Sequence, residues 1–240
     1  MPKPQAIELA DDTVIPILYE DRSVLAIDKP AGWLLAPDSW DQTGRNLQLA
    51  LQSSIRAGDF WARSRGLKFL RFVHRLDAET SGVLLLVKHP DGVAAYSQIF
   101  AKRDVDKTYL VIVQGIPSPA EWVCRERIGP DPRTAGRMKV DRREGKEAET
   151  LFTTIQSKRE MALLKARPLT GRTHQIRVHL QALGYPVIGD PLYGGPGQQS
   201  KPRLQLALRA TELAYRDPFT KRAVRIQAPV EEFLHSYGFS

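Results

Sequence analysis

Short β-rich runs that follow one another across polar turns constrain this chain more than any other feature. The runs 14–20 and 23–28 flank a charged turn at Asp21 and Arg22. The runs 148–156 and 161–167 flank the turn SKRE, and 204–215 and 223–227 flank DPFT. Connections this short join antiparallel neighbours, because a parallel pair needs a crossover of a dozen or more residues. Further extended segments are expected at 69–74, 82–88 and 108–114. The run 82–88 is apolar without alternation, the pattern of a strand buried on both faces. Helices are fewer. Leu47, Ala50, Leu51 and Ile55 recur at helical spacing over 46–55. Asp91 opens a second helix to about Lys102, as an N-cap. A third spans 173–183 and stops at Gly184, a residue suited to the left-handed position beyond a helix. A short fourth covers 230–236. The fold class is therefore α+β, a mainly antiparallel mixed sheet with flanking helices and loops. Residues 1–13 are expected to be a flexible leader and 14–240 a single domain.

Composition narrows the partners. No run approaches the roughly 20 apolar residues of a bilayer-crossing helix, and the first residues lack a signal-peptide core. A membrane partner is not expected, and a cytoplasmic location is. Cys124 is the one cysteine, so no internal disulfide can form, and its surroundings suit a small strand residue better than a nucleophile. His174 and His179 stand five apart, and no HExxH occurs, so no metal site is signalled. The formal net charge of +8 favours a polyanion such as nucleic acid, although many basic proteins have no such partner.

Three segments carry chemistry. HRLDAETSG, at 74–82, gathers a carboxylate, an arginine and two hydroxyls between two strand-like runs. Read on its own it is also consistent with a plain turn, which Asp, Thr, Ser and Gly favour. LTGRTHQIRVHL, at 169–180, sets Gly171 and Arg172 before a helix whose free amide groups suit phosphate. Ile176, Leu180 and Leu183 form its apolar stripe, and His174 and Arg177 share a face; the plainer reading is an amphipathic helix with a solvated basic side. DKTYLVIVQ, at 106–114, places Tyr109 near a strand start, where a tyrosine is as ordinary in a core as in a site.

Together these pieces resemble the RluA-type pseudouridine synthases. HRLDAETSG looks like their active-site signature, KTY with its apolar strand and Gly115 like their second block, and LTGRTHQIRVHL followed by GYPVIGDPLYG like their third. YEDRSVLAIDKPAG, at 19–32, is similar to their first strands. The blocks stand in the family's order over about 15–230. The segment 33–40, WLLAPDSW, departs from the family pattern, which continues after KPAG with an apolar pair and a histidine. The short leader is similar to the catalytic-domain-only form of the family.

The resemblance implies a pseudouridine synthase fold and an isomerase acting on uridines in ribosomal RNA, transfer RNA or both, with RNA stem-loops as partner, no cofactor and no obligate protein partner. It assigns Asp77 as the catalytic carboxylate, as nucleophile or as the group promoting glycosidic cleavage, and Arg177 as its partner. Burial opposes a carboxylate's charge and a guanidinium favours it, so Arg177 is expected to offset the desolvation of Asp77. Tyr109 is implied to stack on the uracil, and Arg75 to fill the space of the everted nucleotide, with Arg172 and His74 beside it on the RNA; Ile176 and Leu180 pack the pocket. Arg56, Arg63, Arg65, Arg172 and Lys102 are candidate phosphate contacts, and the basic loops 56–68 and 125–146 are where target selection is expected. Two other classes compete. An RNA chaperone that had lost the chemistry needs no isolated aspartate facing phosphate. A glycosidase uses two carboxylates, and Glu79, the available second, sits in the turn.

Overall fold

The computed structural model describes residues 2–35, 45–194 and 205–239. In chain order the strands and helices begin with β1 (Ala6–Glu8), β2 (Val14–Glu20), β3 (Val24–Lys29), α1 (Leu47–Ala57), α2 (Phe60–Arg63), β4 (Arg71–Phe72) and β5 (Ser81–Val87). They continue with α3 (Val93–Ala101), β6 (Val105–Gln114), β7 (Glu121–Cys124), β8 (Ile128–Pro130), β9 (Met138–Val140), β10 (Thr150–Lys158) and β11 (Met161–Pro168). The last four are α4 (Gln175–Ala182), β12 (Leu208–Arg216), β13 (Ala223–Gln227) and α5 (Glu231–Ser236). The chain forms two compact units, Met1–Val105 with Glu212–Ala228, and Asp106–Thr211 with Pro229–Ser240. The sequence reading had one domain across the same residues.

In the first unit β3 pairs antiparallel with β2 on one side and β5 on the other, and β1 extends the sheet beyond β2. The later residues of β12 pair antiparallel with β13, from Glu212 with Gln227 to Arg216 with Ala223. Successive strand residues face opposite sides. Val24 and Ala26 of β3 therefore share one core with Val83, Leu85 and Val87 of β5, and α3 covers it with Tyr96. Leu84 and Leu86 are as deeply buried as their neighbours, so β5 is enclosed on both faces. Asn46 starts α1 as an N-cap, its side chain accepting the Leu49 amide.

In the second unit β11 lies between β6 and β10, and β10 carries β7 on its outer side, all antiparallel. Ile176 and Leu180 of α4 pack into the core with Val111, Ile112 and Val113 of β6 and Leu163 and Leu164 of β11. The hairpin β8–β9 pairs from Ile128 with Val140 to Pro130 with Met138. It packs on Val178 of α4 and on Tyr193.

Four expectations change. The supposed leader holds β1, with Ile7 fully buried, because alternating apolar residues there find a partner strand in β2. Asp91 lies inside a 3-10 turn, Pro90–Gly92, and caps nothing; Gly92 precedes α3 without a side-chain bond. α4 starts at Gln175 because His174 takes the left-handed conformation, φ 55°. Leu183 lies beyond the last turn of α4 and is exposed. Leu204 and residues 36–40 of the atypical segment lie outside the described residues; Trp33 and Leu35 of the same segment are buried. Among the described residues no helix is long and apolar enough to cross a membrane.

Strand β5 leads directly out of the segment that holds Asp77, so its packing sets the stability of that region. Leu85→Ala, which removes a fully buried side chain from this core, is expected to cost about 2–5 kcal/mol in denaturant unfolding.

Candidate active site

Asp77 occupies the turn between β4 and β5 of the first unit. Its carbonyl accepts the Thr80 amide at 3.1 Å, which closes the turn over Ala78 and Glu79. Leu76 before it and Thr80 after it are buried, while Asp77 is half-buried and Arg75 exposed. Apolar and hydroxyl anchors thus fix the ends and leave the polar middle at the surface.

The floor of this turn is Lys29, the last residue of β3, which is fully buried. Its Nζ donates to the carbonyls of Ala78 at 2.8 Å, Thr80 at 2.9 Å and Pro30 at 3.0 Å. Three acceptors match the three donors of an ammonium group. Two of them belong to the Asp77 turn, and the Gly32 amide donates to Ala78 as well. Burial pulls the Lys29 pKa down to about 8, and the negative charges of Glu79 and Asp77 act against that shift.

Arg177 lies on α4 of the second unit, and no part of its side chain reaches solvent. Its Nε and one terminal nitrogen each donate at 2.8 Å to the two oxygens of Asp190. The Asp190 carboxylate also accepts the amides of Leu192 at 2.9 Å and Tyr193 at 3.0 Å. The pair is bidentate, planar and buried at both ends, the geometry in which arginine is not interchangeable with lysine. Tyr193 completes the setting, since the Arg177 guanidinium lies over its ring, 5.1 Å from the centroid.

The start of α4 is closed by its own first residue. Gln175 Oε1 accepts the Arg172 amide at 3.0 Å and the Thr170 hydroxyl at 2.6 Å. Its amide nitrogen donates to the Glu149 carbonyl and the Thr150 hydroxyl, both at 2.9 Å. Thr150 in turn meets His179 Nδ1 at 3.0 Å, and His179 Nε2 meets the Glu126 carbonyl at 2.9 Å. A carbonyl only accepts, so Nε2 carries the hydrogen and Nδ1 takes the Thr150 proton. Burial lowers the His179 pKa, which keeps this chain of bonds neutral.

The remaining expected site residues fall in these same surroundings. His74 Nε2 accepts the Leu85 amide at 2.9 Å, and its ring stacks on Phe100 with centroids 4.6 Å apart. Those contacts bind His74 into the first unit. Arg172 Nε donates to the Glu147 carbonyl at 2.8 Å. Tyr109 is half-buried on β6 against the second unit's core, opposite Ala166 of β11. Ile176 and Leu180 belong to that core. Arg65 is corrected as a phosphate candidate: it is buried, pairs with Glu20 at 2.9 Å, and also donates to the Trp61 and Pro4 carbonyls. Arg56, Arg63 and Lys102 remain exposed. Lys29, Asp190, Tyr193 and Gln175 received no role from the sequence. Their signal was present, since Lys29 lies in KPAG, Asp190 and Tyr193 in GDPLYG, and Gln175 in LTGRTHQIRVHL.

A sequence model described as RNA pseudouridylate synthase matches residues 23–182, which include the Asp77 turn and the Arg177 helix. The chain belongs to the RNA pseudouridylate synthase family. An uncharacterized RNA pseudouridine synthase of Chlorobaculum parvum is 34% identical over 96% of this chain and 75% of its own. Ribosomal large subunit pseudouridine synthase D of Xanthomonas campestris is 34% identical over 93% of this chain and 68% of its own. The solved structure of human RNA pseudouridylate synthase domain containing 4 superposes with a TM-score of 0.74 at 26% identity, over 92% of this chain and 90% of that one. The expected RluA-type relationship, the α+β fold and the RNA isomerase activity all stand.

Two results are expected of this pseudouridine synthase. Asp190→Ala leaves a guanidinium buried without its carboxylate and should cost about 3–5 kcal/mol in chemical unfolding. Lys29 sets a pH dependence. Below pH 8 the folded and unfolded chains both hold its proton; from about 8 to 10.4 the unfolded chain holds more, so stability rises with pH. The unfolding free energy of the wild type relative to Lys29→Met should therefore grow across that window. A difference that stays flat from pH 7 to 10 would show an ammonium that never discharges.

Proposed function

We propose that this enzyme converts uridine to pseudouridine at defined positions of structured ribosomal RNA, transfer RNA or both, with Asp77 as the catalytic carboxylate and Tyr109 and Arg177 serving the same reaction. The conversion breaks the bond between the ribose C1′ and uracil N1 and forms one between C1′ and C5. The C5 proton is lost and N1 gains one, so composition is unchanged and no electrons are exchanged. A carboxylate available at neutral pH and a base taken out of its stack are the two requirements, and eversion costs a few kcal/mol.

The observation that carries the reading is the Asp77 turn, in which a half-buried carboxylate sits on backbone that a buried lysine holds through two of the turn's own carbonyls. Such support restricts the turn without occupying the carboxylate through Lys29. Exposed Arg75 two residues earlier suits a side chain that fills the vacated stack. A ribosomal target is supported by the names of the curated relatives, several of which are ribosomal large subunit synthases. The segment 125–146 carries six arginines and two lysines against four acidic residues. Its exposed Arg133, Lys139, Arg142, Arg143 and Lys146 suit backbone phosphates.

The test follows the C5 proton. RNA transcribed with uridine tritiated at C5 should release tritium to water on incubation with the wild type. Asp77→Asn should lower that release by at least about 100-fold while RNA binding persists. Binding without release by the wild type would favour a chaperone, and free uracil a glycosylase. Release undiminished in Asp77→Asn would move the chemistry to another group.

A further inference from the structure

Tyr193 stands between two features that no sequence block joins. Its side chain is almost fully enclosed, 3% exposed. On one side its hydroxyl oxygen accepts the backbone amide of Met138, the first residue of β9, at 2.8 Å. The Arg137 guanidinium next to that amide lies over the Tyr193 ring, 5.3 Å from the centroid. On the other side the ring carries the Arg177 guanidinium, and the Tyr193 amide donates to Asp190, the carboxylate that holds Arg177. The hydroxyl is also bonded with His174 Nδ1 at 2.8 Å, at the residue just before α4.

The hairpin β8–β9 is also tied at Ile128, whose amide and carbonyl bond with Lys146, and beside it at Glu126, whose carbonyl accepts from His179. It is a two-stranded sheet on its own, and an isolated hairpin is marginal in water. Ile128, Met138 and Val140 pack on Val178, Ala148 and Tyr193 in a small cluster. Within that cluster, Tyr193 supplies the hydroxyl that Met138 bonds. The hairpin's outward side chains are the exposed cations Arg133 and Lys139, with Arg143 just beyond. A hairpin that grips phosphates adds binding energy only if its own position is already fixed, because ordering it on contact costs conformational entropy.

We infer that Tyr193 is a positioning residue that ties the basic hairpin to the Arg177–Asp190 pair, so that the hairpin's hold on RNA depends on the Tyr193 hydroxyl while Arg177 depends on the ring. The inference rests on the proposed use of the hairpin for RNA and of Arg177 for the reaction. It separates two substitutions. Tyr193→Phe removes the bonds to Met138 and His174 and keeps the ring beneath both guanidinium groups. Tyr193→Leu removes the ring as well.

The experiment uses a large-subunit ribosomal RNA transcript tritiated at uridine C5, the full-length chain, and amide hydrogen exchange at Met138. In Tyr193→Phe the Met138 amide should exchange about tenfold faster, and KM should rise about fivefold, the loss of one net hydrogen bond. The kcat should stay within a factor of two. Tyr193→Leu should lower kcat in addition. The decisive arm repeats Tyr193→Phe in a chain with Arg133, Lys139 and Arg143 changed to Ala. There the KM effect should disappear, because the tie acts through cations that are gone. A KM effect that persists in that background, a fall in kcat with KM unchanged in Tyr193→Phe, or Met138 exchange at the wild-type rate would each overturn the inference. Failure of the functional reading looks different: the wild type releases no tritium. Met138 exchange and filter binding of the same transcript then still decide the role of Tyr193.

Discussion

In the second unit, α4 and the turn after Asp190 are fixed to one another by one buried ion pair. Dehydrating a guanidinium and a carboxylate costs several kcal/mol each unless every lone pair and proton finds a partner. The fold meets that condition locally. The chain turns just after Asp190 so that the amides of Leu192 and Tyr193 reach its carboxylate, and α4 brings Arg177 to it with its planar fork aligned. The pair is a weak source of stability and a strong source of order, because any other placement of α4 strands a charge in the core. A helix that must present one arginine in one orientation gains from this kind of constraint.

The first unit solves a similar problem with a different cation. Lys29 has no carboxylate in direct contact among its hydrogen bonds; it is satisfied by three peptide carbonyls, two of them on the turn that carries Asp77. A lysine used this way acts as a bracket for backbone and leaves side chains alone. Both cations are buried, and both serve segments that the family signatures single out. In one case the buried charge is itself the group of interest, and in the other it supports the group of interest from beneath.

Local chemistry made much of this legible from the sequence. Strands β2 and β13 have the expected limits, 14–20 and 223–227, because short turns of strong composition bound them on one side. β5 was readable as doubly buried from its unbroken apolar run. The exceptions are non-local. His174 adopts a left-handed backbone that nothing in its residue type demands, and α4 begins later as a result. The sequence left open whether the basic side of α4 is solvated; Arg177 is enclosed, and its partner Asp190 lies 13 residues away in sequence, where only tertiary structure brings it near. Arg65 read as a candidate phosphate contact, but Glu20, 45 residues distant, pairs with it. Asp77, Tyr109 and Arg177 could be named from motifs; Lys29 and Asp190, which hold the Asp77 turn and Arg177, lie in the same blocks, but their role depends on contacts distant in sequence.

The two cores are interleaved along the chain. Leu213, Tyr215, Val224 and Ile226 join residues up to Val105 in the core of the first unit, and Phe239 is buried in the core of the second. A ribosome making this protein therefore cannot release a finished first half to fold while the second is still being made. Each unit needs residues beyond 205, so a nascent chain arrested at residue 200 exposes two incomplete hydrophobic surfaces instead of one.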